Sequence, residues 1–210
     1  MPQRKLPLLL TLTAALAACS GLTKDGATPP PGPQAVKQAM LASFEPKGQA
    51  GLDRLDQDET QALCSRAPDH PLTSDEIQKI ISTNTAAIRY PTDGRYLGDW
   101  REGEKIAQTG TGKQFSDDPT KPSGGNCYAC HQLAKSEIAY GTLGPSLYQY
   151  GKLRGHSEGM LKYTWGKIYD SEATMPCSIM PRFGHKGILT EQQIRDVMAL
   201  LFDPQSPVNQ

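Results

Sequence analysis

The stretch Cys127-Tyr128-Ala129-Cys130-His131 constrains this chain more than any other part of it. Two thiols three positions apart can each add across a vinyl group of a porphyrin. The adjacent histidine then falls under the iron and supplies its proximal nitrogen. This is C-x-x-C-H, the attachment pattern of a c-type haem. Two other chemistries use paired cysteines. A zinc site needs a second Cys or His pair at short spacing, and the sequence has none. A thioredoxin-like dithiol needs a βαβ context, which the surrounding pattern does not offer. The expectation is one covalently bound haem c on Cys127 and Cys130, with His131 as an axial iron ligand.

Haem attachment of this kind takes place outside the cytoplasm, and the N-terminus agrees. Arg4 and Lys5 precede an apolar run from Leu6 to Leu16, the layout of a secretory signal and too short for a transmembrane helix. Leu16-Ala17-Ala18-Cys19 resembles a bacterial lipobox, with Cys19 lipidated as the mature N-terminus. Ala15-Leu16-Ala17 is also an ordinary signal-peptidase site. The five cysteines favour the lipobox. With Cys127 and Cys130 on haem, Cys64 and Cys177 can pair as a disulfide in an oxidising periplasm, and lipidation accounts for Cys19. Gly21 to Gln34, with Pro29-Pro30-Pro31, reads as a stiff, extended tether. The 22 basic residues balance 22 acidic ones, so no global field draws the chain to nucleic acid or to an anionic membrane. Membrane contact is expected through a lipid anchor alone, and no nucleic-acid partner is expected.

Helical periodicity dominates the rest, with no strand pattern of any length. Leu52 to Ala67 reads as a short helix with Cys64 near its end, closed by Pro68 and Pro71. Ser74 can cap a second, on which Ile77, Ile80, Ile81, Asn84 and Ile88 share one side before Tyr90-Pro91. Asp99, with Glu102 as a capping-box partner, starts a helix from Trp100 to about Gln108. Thr109 to Gly125 reads as a surface insertion. Ser157 can cap a helix from Glu158 to about Tyr169, with Trp165 on its buried face. A loop from Asp170 to Leu189 leads to a final helix, marked by Thr190 with Gln193 and by Ile194, Val197, Met198, Leu201 and Phe202.

A haem with one histidine needs a second axial ligand or keeps an open position. Met175, Met180, Met160, His156 and His185 are the candidates. Met160 and Met198 lie inside helices and read as core. Met175 and Met180 share the loop before the last helix, and Met180 is preferred because Pro181 stiffens the chain just after it. A proximal histidine also wants a fixed acceptor for its other ring nitrogen. The carbonyl of Pro145, in Gly144-Pro145-Ser146-Leu147, is the candidate, although an ordinary Gly-Pro turn would look the same.

Several stretches together resemble the SoxX family, the monohaem cytochrome subunits of sulfur-oxidising SoxAX complexes. They are Gly98-Asp99-Trp100-Arg101-Glu102-Gly103-Glu104-Lys105, Gly125-Asn126-Cys127-Tyr128-Ala129-Cys130-His131, Gly144-Pro145-Ser146-Leu147 and Cys177-Ser178-Ile179-Met180-Pro181-Arg182-Phe183-Gly184-His185. The C-terminal Asp203-Pro204-Gln205-Ser206-Pro207-Val208-Asn209 is similar too. The resemblance covers roughly residues 77–210. It implies an all-α, class I cytochrome c-like domain wrapped on one covalent haem, with His131 and Met180 on the iron. It also implies a SoxA-type partner subunit carrying the catalytic haem, a transient SoxYZ-type carrier and a downstream cytochrome. This chain would then be the non-catalytic electron exit of an enzyme that conjugates thiosulfate to a carrier cysteine. The lipobox, the proline-rich tether and the long insertion depart from the family pattern.

The expected organisation is a signal peptide over 1–18, a tether over 19–50, an N-terminal helical extension over 51–91 and a cytochrome c domain over 92–210. Two other functions compete: an independent membrane-tethered carrier, and an enzyme with an open sixth position. No Ser/His/Asp set or metal cluster in the sequence supports the enzyme.

Overall fold

The computed structural model describes residues 31–210, so the signal segment, the lipobox and Cys19 lie outside the described residues. The chain divides into two compact units after Ser43. In the first, Pro33–Ser43 forms helix α1, within the span 19–50 read as a tether; most of the stretch read as extended, Gly21 to Gln34, lies outside the described residues. Proline at the first helical position gives up only an amide that would have had no intrahelical partner.

The second unit carries the remaining helices. They are α2 (Glu59–Arg66), α3 (Ser74–Ala87), α4 (Trp100–Gln108), α5 (Tyr150–Arg154), α6 (Glu158–Tyr169) and α7 (Glu191–Phe202). Single 3-10 turns sit at Leu52–Leu55, Cys127–Ala129, Ser171–Ala173 and Pro207–Asn209. Among the described residues the only extended pairing is an isolated bridge between Lys47 and Ala50. No described helix is long and apolar enough to cross a membrane.

Helix α7 forms the spine of the core. Ile194, Val197, Met198, Leu200, Leu201 and Phe202 are all buried, and Thr190 with Gln193 closes the expected capping box. Helix α4 packs against it closely because of Gly103. A Cβ at that position would stand 2.0 Å from the Asp196 carbonyl oxygen, so only glycine permits the approach. The buried Asp196 carboxylate accepts the Asp99 backbone N–H at 2.9 Å and ties the start of α4 to α7. Asp99 caps α4 as expected but accepts from Arg101 N, and Glu102 bonds Lys105 instead of completing a box.

The C-terminus seals this core. Asn209 is fully buried, and its Nδ2 donates to the carbonyls of Leu201 and Asp203 while its Oδ1 accepts from Gly151 N and Lys152 N. One side chain thus serves the end of α7 and the start of α5. Trp165 on α6 is buried, donates its indole N–H to the Arg89 carbonyl at 2.8 Å and meets Tyr96 edge-on.

The extension differs locally from its sequence reading. Leu52–Leu55 and α2 are separate, because Asp58 caps α2 in a box with Gln61. Thr73, not Ser74, caps α3, in a box with Glu76. Buried Ile80 and Asn84 turn α3 towards the Ser171–Ala173 turn, where the Thr85 hydroxyl reaches the Ala173 carbonyl at 3.5 Å.

Candidate functional site

The thiol pair sits on a turn hung from the end of α4. Gly125 N donates to Ile106 O and Asn126 N to Thr109 O, and Asn126 turns the chain at φ +46°. Cys130 N and His131 N both return to the Cys127 carbonyl, closing the turn. Tyr128 is buried inside it, and its hydroxyl accepts from Ala134 N. Cys127 packs against the core, and burial pushes its thiol up to about 12. Among the described residues no group of three or more His, Cys, Asp or Glu is arranged to hold a metal ion.

The following loop folds back over the turn through Gly141 N to Tyr128 O, Gly144 N to Cys130 O and Leu147 N to Gln132 O. This brings the Pro145 carbonyl to 2.7 Å from His131 Nδ1. A carbonyl can only accept, so Nδ1 carries a proton, which in the neutral ring leaves the lone pair on Nε2. That is the tautomer a metal-ligating imidazole needs. The ring lies directly against Gly144, where a Cβ would stand 2.1 Å from His131 Cε1.

The methionines part company. Met175 is 59% exposed, whereas Met180 is half-buried and packs against the core. Ser171 Oγ donates to the Met180 carbonyl at 2.5 Å, and Met180 N donates to Ser178 Oγ. The two histidine candidates are engaged elsewhere. His156 Nε2 donates to the Phe202 carbonyl at 2.7 Å. His185 Nδ1 stands 2.8 Å from the buried Asp170 carboxylate. Met160 lies by Tyr150 and Thr164 in the core.

Cys64 of α2 and Cys177 are disulfide-bonded, with an S–S distance of 2.11 Å and a sequence separation of 113. Cys177 has φ +59°, and its N–H is accepted by the buried Glu172 carboxylate at 2.5 Å. Burial pushes the Glu172 carboxyl up, and the Cys177 and Ser178 backbone N–H groups pull against that shift. Glu172, Arg182 and Gly144 are the site residues that sequence reasoning missed. Gly144 lies in the Gly-Pro turn and Arg182 in the Cys177 to His185 stretch, but the sequence gives neither a role, and Glu172 gives no signal.

The donor set fits a covalently held haem. It comprises two thiols on one turn, an imidazole in the ligating tautomer and a half-buried thioether on a pinned loop. Comparison with known proteins points the same way. Residues 102–202 match the Cytochrome c family. A protein of Aquifex aeolicus (strain VF5) named "uncharacterized lipoprotein" is 35% identical over 213 residues, covering 98% of this chain and 98% of that protein.

Proposed function

The chain carries a cytochrome c domain and belongs to one family with the Aquifex aeolicus protein, and from that premise we propose that it is the electron-exit subunit of a SoxAX-type complex. Electron transfer follows from the cytochrome c domain. The sulfur role rests on the SoxX-like combination of C-x-x-C-H with Cys177-Ser178-Ile179-Met180-Pro181-Arg182-Phe183-Gly184-His185. Cys127 and Cys130 would carry one haem c, and His131 Nε2 and Met180 Sδ would be its axial ligands. Bound there, the haem would supply a reversible one-electron couple, and methionine ligation would raise its potential relative to a bis-histidine site.

The chain's own residues do the rest. Pro145 fixes the imidazole tautomer and Gly144 gives the ring its space. The Cys64–Cys177 bond ties the thioether loop to α2. One observation favours the electron-transfer reading over an open-site enzyme: an oriented imidazole and a half-buried thioether on a hydrogen-bonded loop are both available as ligands, and with both on the iron no position would be left for substrate. In the partner subunit, the sulfur of thiosulfate would bond to a carrier thiol with release of one proton and two electrons. This chain would take those electrons singly and pass them to a downstream cytochrome. Cys19 would be the lipidated N-terminus, in keeping with the relative's name.

Gentle purification of the native protein from its host's envelope, followed by mass spectrometry, tests the partner and the anchor together. A second c-type cytochrome in equal amount, and an acylated Cys19 peptide, are expected. A haem-loaded chain that arrives alone is an independent carrier, and the sulfur role is then lost.

The ligand assignment has its own test. Met180→Ala is expected to abolish the iron–methionine charge-transfer band and lower the potential by on the order of 0.1 V or more. Met175→Ala, at an exposed position, is expected to leave both unchanged. The reverse pattern would assign the iron to Met175.

A further inference from the structure

We propose that Arg182 is a positioning residue for the Met180 thioether, the far clamp of a six-residue strap whose near clamp is the disulfide; the inference rests on Met180 being the axial ligand. The strap runs from Cys177 to Arg182. At one end Cys177 is bonded to Cys64 of α2. At the other, the buried Arg182 guanidinium reaches the N-cap of the same helix and, beyond it, α3. Its Nη1 donates to Asn84 Oδ1 of α3 at 3.2 Å, and its Nη2 donates to the Asp58 carboxylate that caps α2. Between the clamps Ile179 is 77% exposed, while Met180 packs inward.

Each partner of Arg182 is itself held. Asn84 is buried and donates through Nδ2 to Thr60 Oγ1 at 2.9 Å and to the Ile80 carbonyl at 2.8 Å. Its amide orientation is therefore fixed, with Oδ1 facing the guanidinium. Asp58 accepts from Gln61 N at 2.9 Å and from Lys186 Nζ at 2.7 Å. Burial alone would push the Asp58 carboxyl up. Hydrogen bonds from Lys186, the Gln61 N–H and Arg182 outweigh it and hold the carboxyl well below the usual carboxylate range. A planar guanidinium can serve an amide oxygen and a carboxylate together, which a lysine ammonium on a flexible stem cannot do with the same fixity. Removing the guanidinium leaves the buried Asn84 Oδ1 without its donor, and leaves Asp58 to Lys186 and the Gln61 N–H. The backbone two residues past the thioether then loses its anchor to α2 and α3, while Ser171 and the disulfide still hold the near side.

A strap that holds the thioether on the iron competes with any free ligand for that position, and imidazole is the probe. In the haem-loaded full chain, Arg182→Gln is expected to raise imidazole affinity about tenfold. Arg182→Lys and Asp58→Asn are expected to give smaller increases, and they keep the test alive if the glutamine variant folds poorly. Arg195→Gln is the matched control. Arg195 is a largely buried arginine paired with Asp93 and Glu191 away from the strap, so its loss is expected to lower the melting temperature with imidazole affinity unchanged. Arg182 variants that lower the melting temperature but leave imidazole affinity within twofold of wild type would overturn the proposal and leave Met180 ligation standing. If Met180→Ala does not itself raise imidazole affinity, the ligand assignment fails and the proposal fails with it.

Discussion

Replacing Gly144 with alanine is expected to drive the His131 imidazole off the Pro145 carbonyl. The methyl group would meet His131 at 2.1 Å from Cε1, 2.4 Å from Nδ1 and 2.6 Å from Nε2, so it would occupy the space of the ring itself. The loop cannot simply step back, because Gly144 N is bonded to the Cys130 carbonyl at 2.8 Å on the same turn as the thiols. Either that bond or the contact of Nδ1 with Pro145 must be given up. In both cases the imidazole loses its set tautomer and direction, and overpacking of this kind costs about 1–3 kcal/mol. The haem-loaded variant should show a high-spin ferric component where the wild type is low-spin, with a lower melting temperature. Gly159→Ala supplies the contrast. It lies inside α6 with nothing within 4 Å of a new Cβ, so it should leave the spectrum alone and stabilise by up to about 1 kcal/mol. A Gly144→Ala protein with a wild-type low-spin spectrum would mean that the ring does not lie where the structure places it.

What the sequence revealed, and what it hid, divides by the range of the interaction. Helix α7 was legible because its apolar stripe and its Thr190–Gln193 box are both local signals. Helices α4 and α6 were legible for the same reason, each opening on the residue expected to cap it, Asp99 and Ser157. Helix α5 was not. It has five residues, its N-cap Gln149 sits at φ +57° without a side-chain cap, and its amides are served by Asn209 from the far end of the chain. The thiol turn and the Pro145 acceptor lie within 14 residues of His131, so spacing alone could suggest them. The clamp on Arg182 joins residues 98 and 124 positions apart. Asn84 looked like one more member of the α3 stripe, and only its place in the fold shows that its amide oxygen faces a guanidinium. The capping box imagined for Asp99 failed because the Asp99 backbone N–H is taken by the Asp196 carboxylate, 97 positions away, which leaves Glu102 to Lys105.

Removing the Cys64–Cys177 bond should produce the largest change in global stability, and the change should differ in kind from that of Arg182. The bond closes a loop over a sequence separation of 113. In the chain-entropy picture a link of that span restricts the unfolded ensemble by about 4–5 kcal/mol, and engineered cases commonly deliver about 2–4. For a chain of this length each kcal/mol moves the melting temperature by about 2–4 °C, so the Cys64→Ser/Cys177→Ser double variant should melt about 10 °C lower. The double variant is the right choice, because a single substitution leaves one partner as a free thiol open to oxidation and to pairing between molecules. Reductant added to the wild type should reproduce the loss. Because a cross-link acts largely on the unfolded chain, the native strap should survive it at room temperature. Ser171 still holds the Met180 carbonyl, Glu172 still accepts the Cys177 N–H, and Arg182 still reaches Asn84 and Asp58. The iron–methionine band should therefore persist at 25 °C in the double variant and vanish only as the protein unfolds. If the band is lost while the fold stays intact, the disulfide positions the ligand directly, and the two clamps act alike on the folded state. If neither the band nor the melting temperature changes, α2 is not tied to the strap in the way this structure shows.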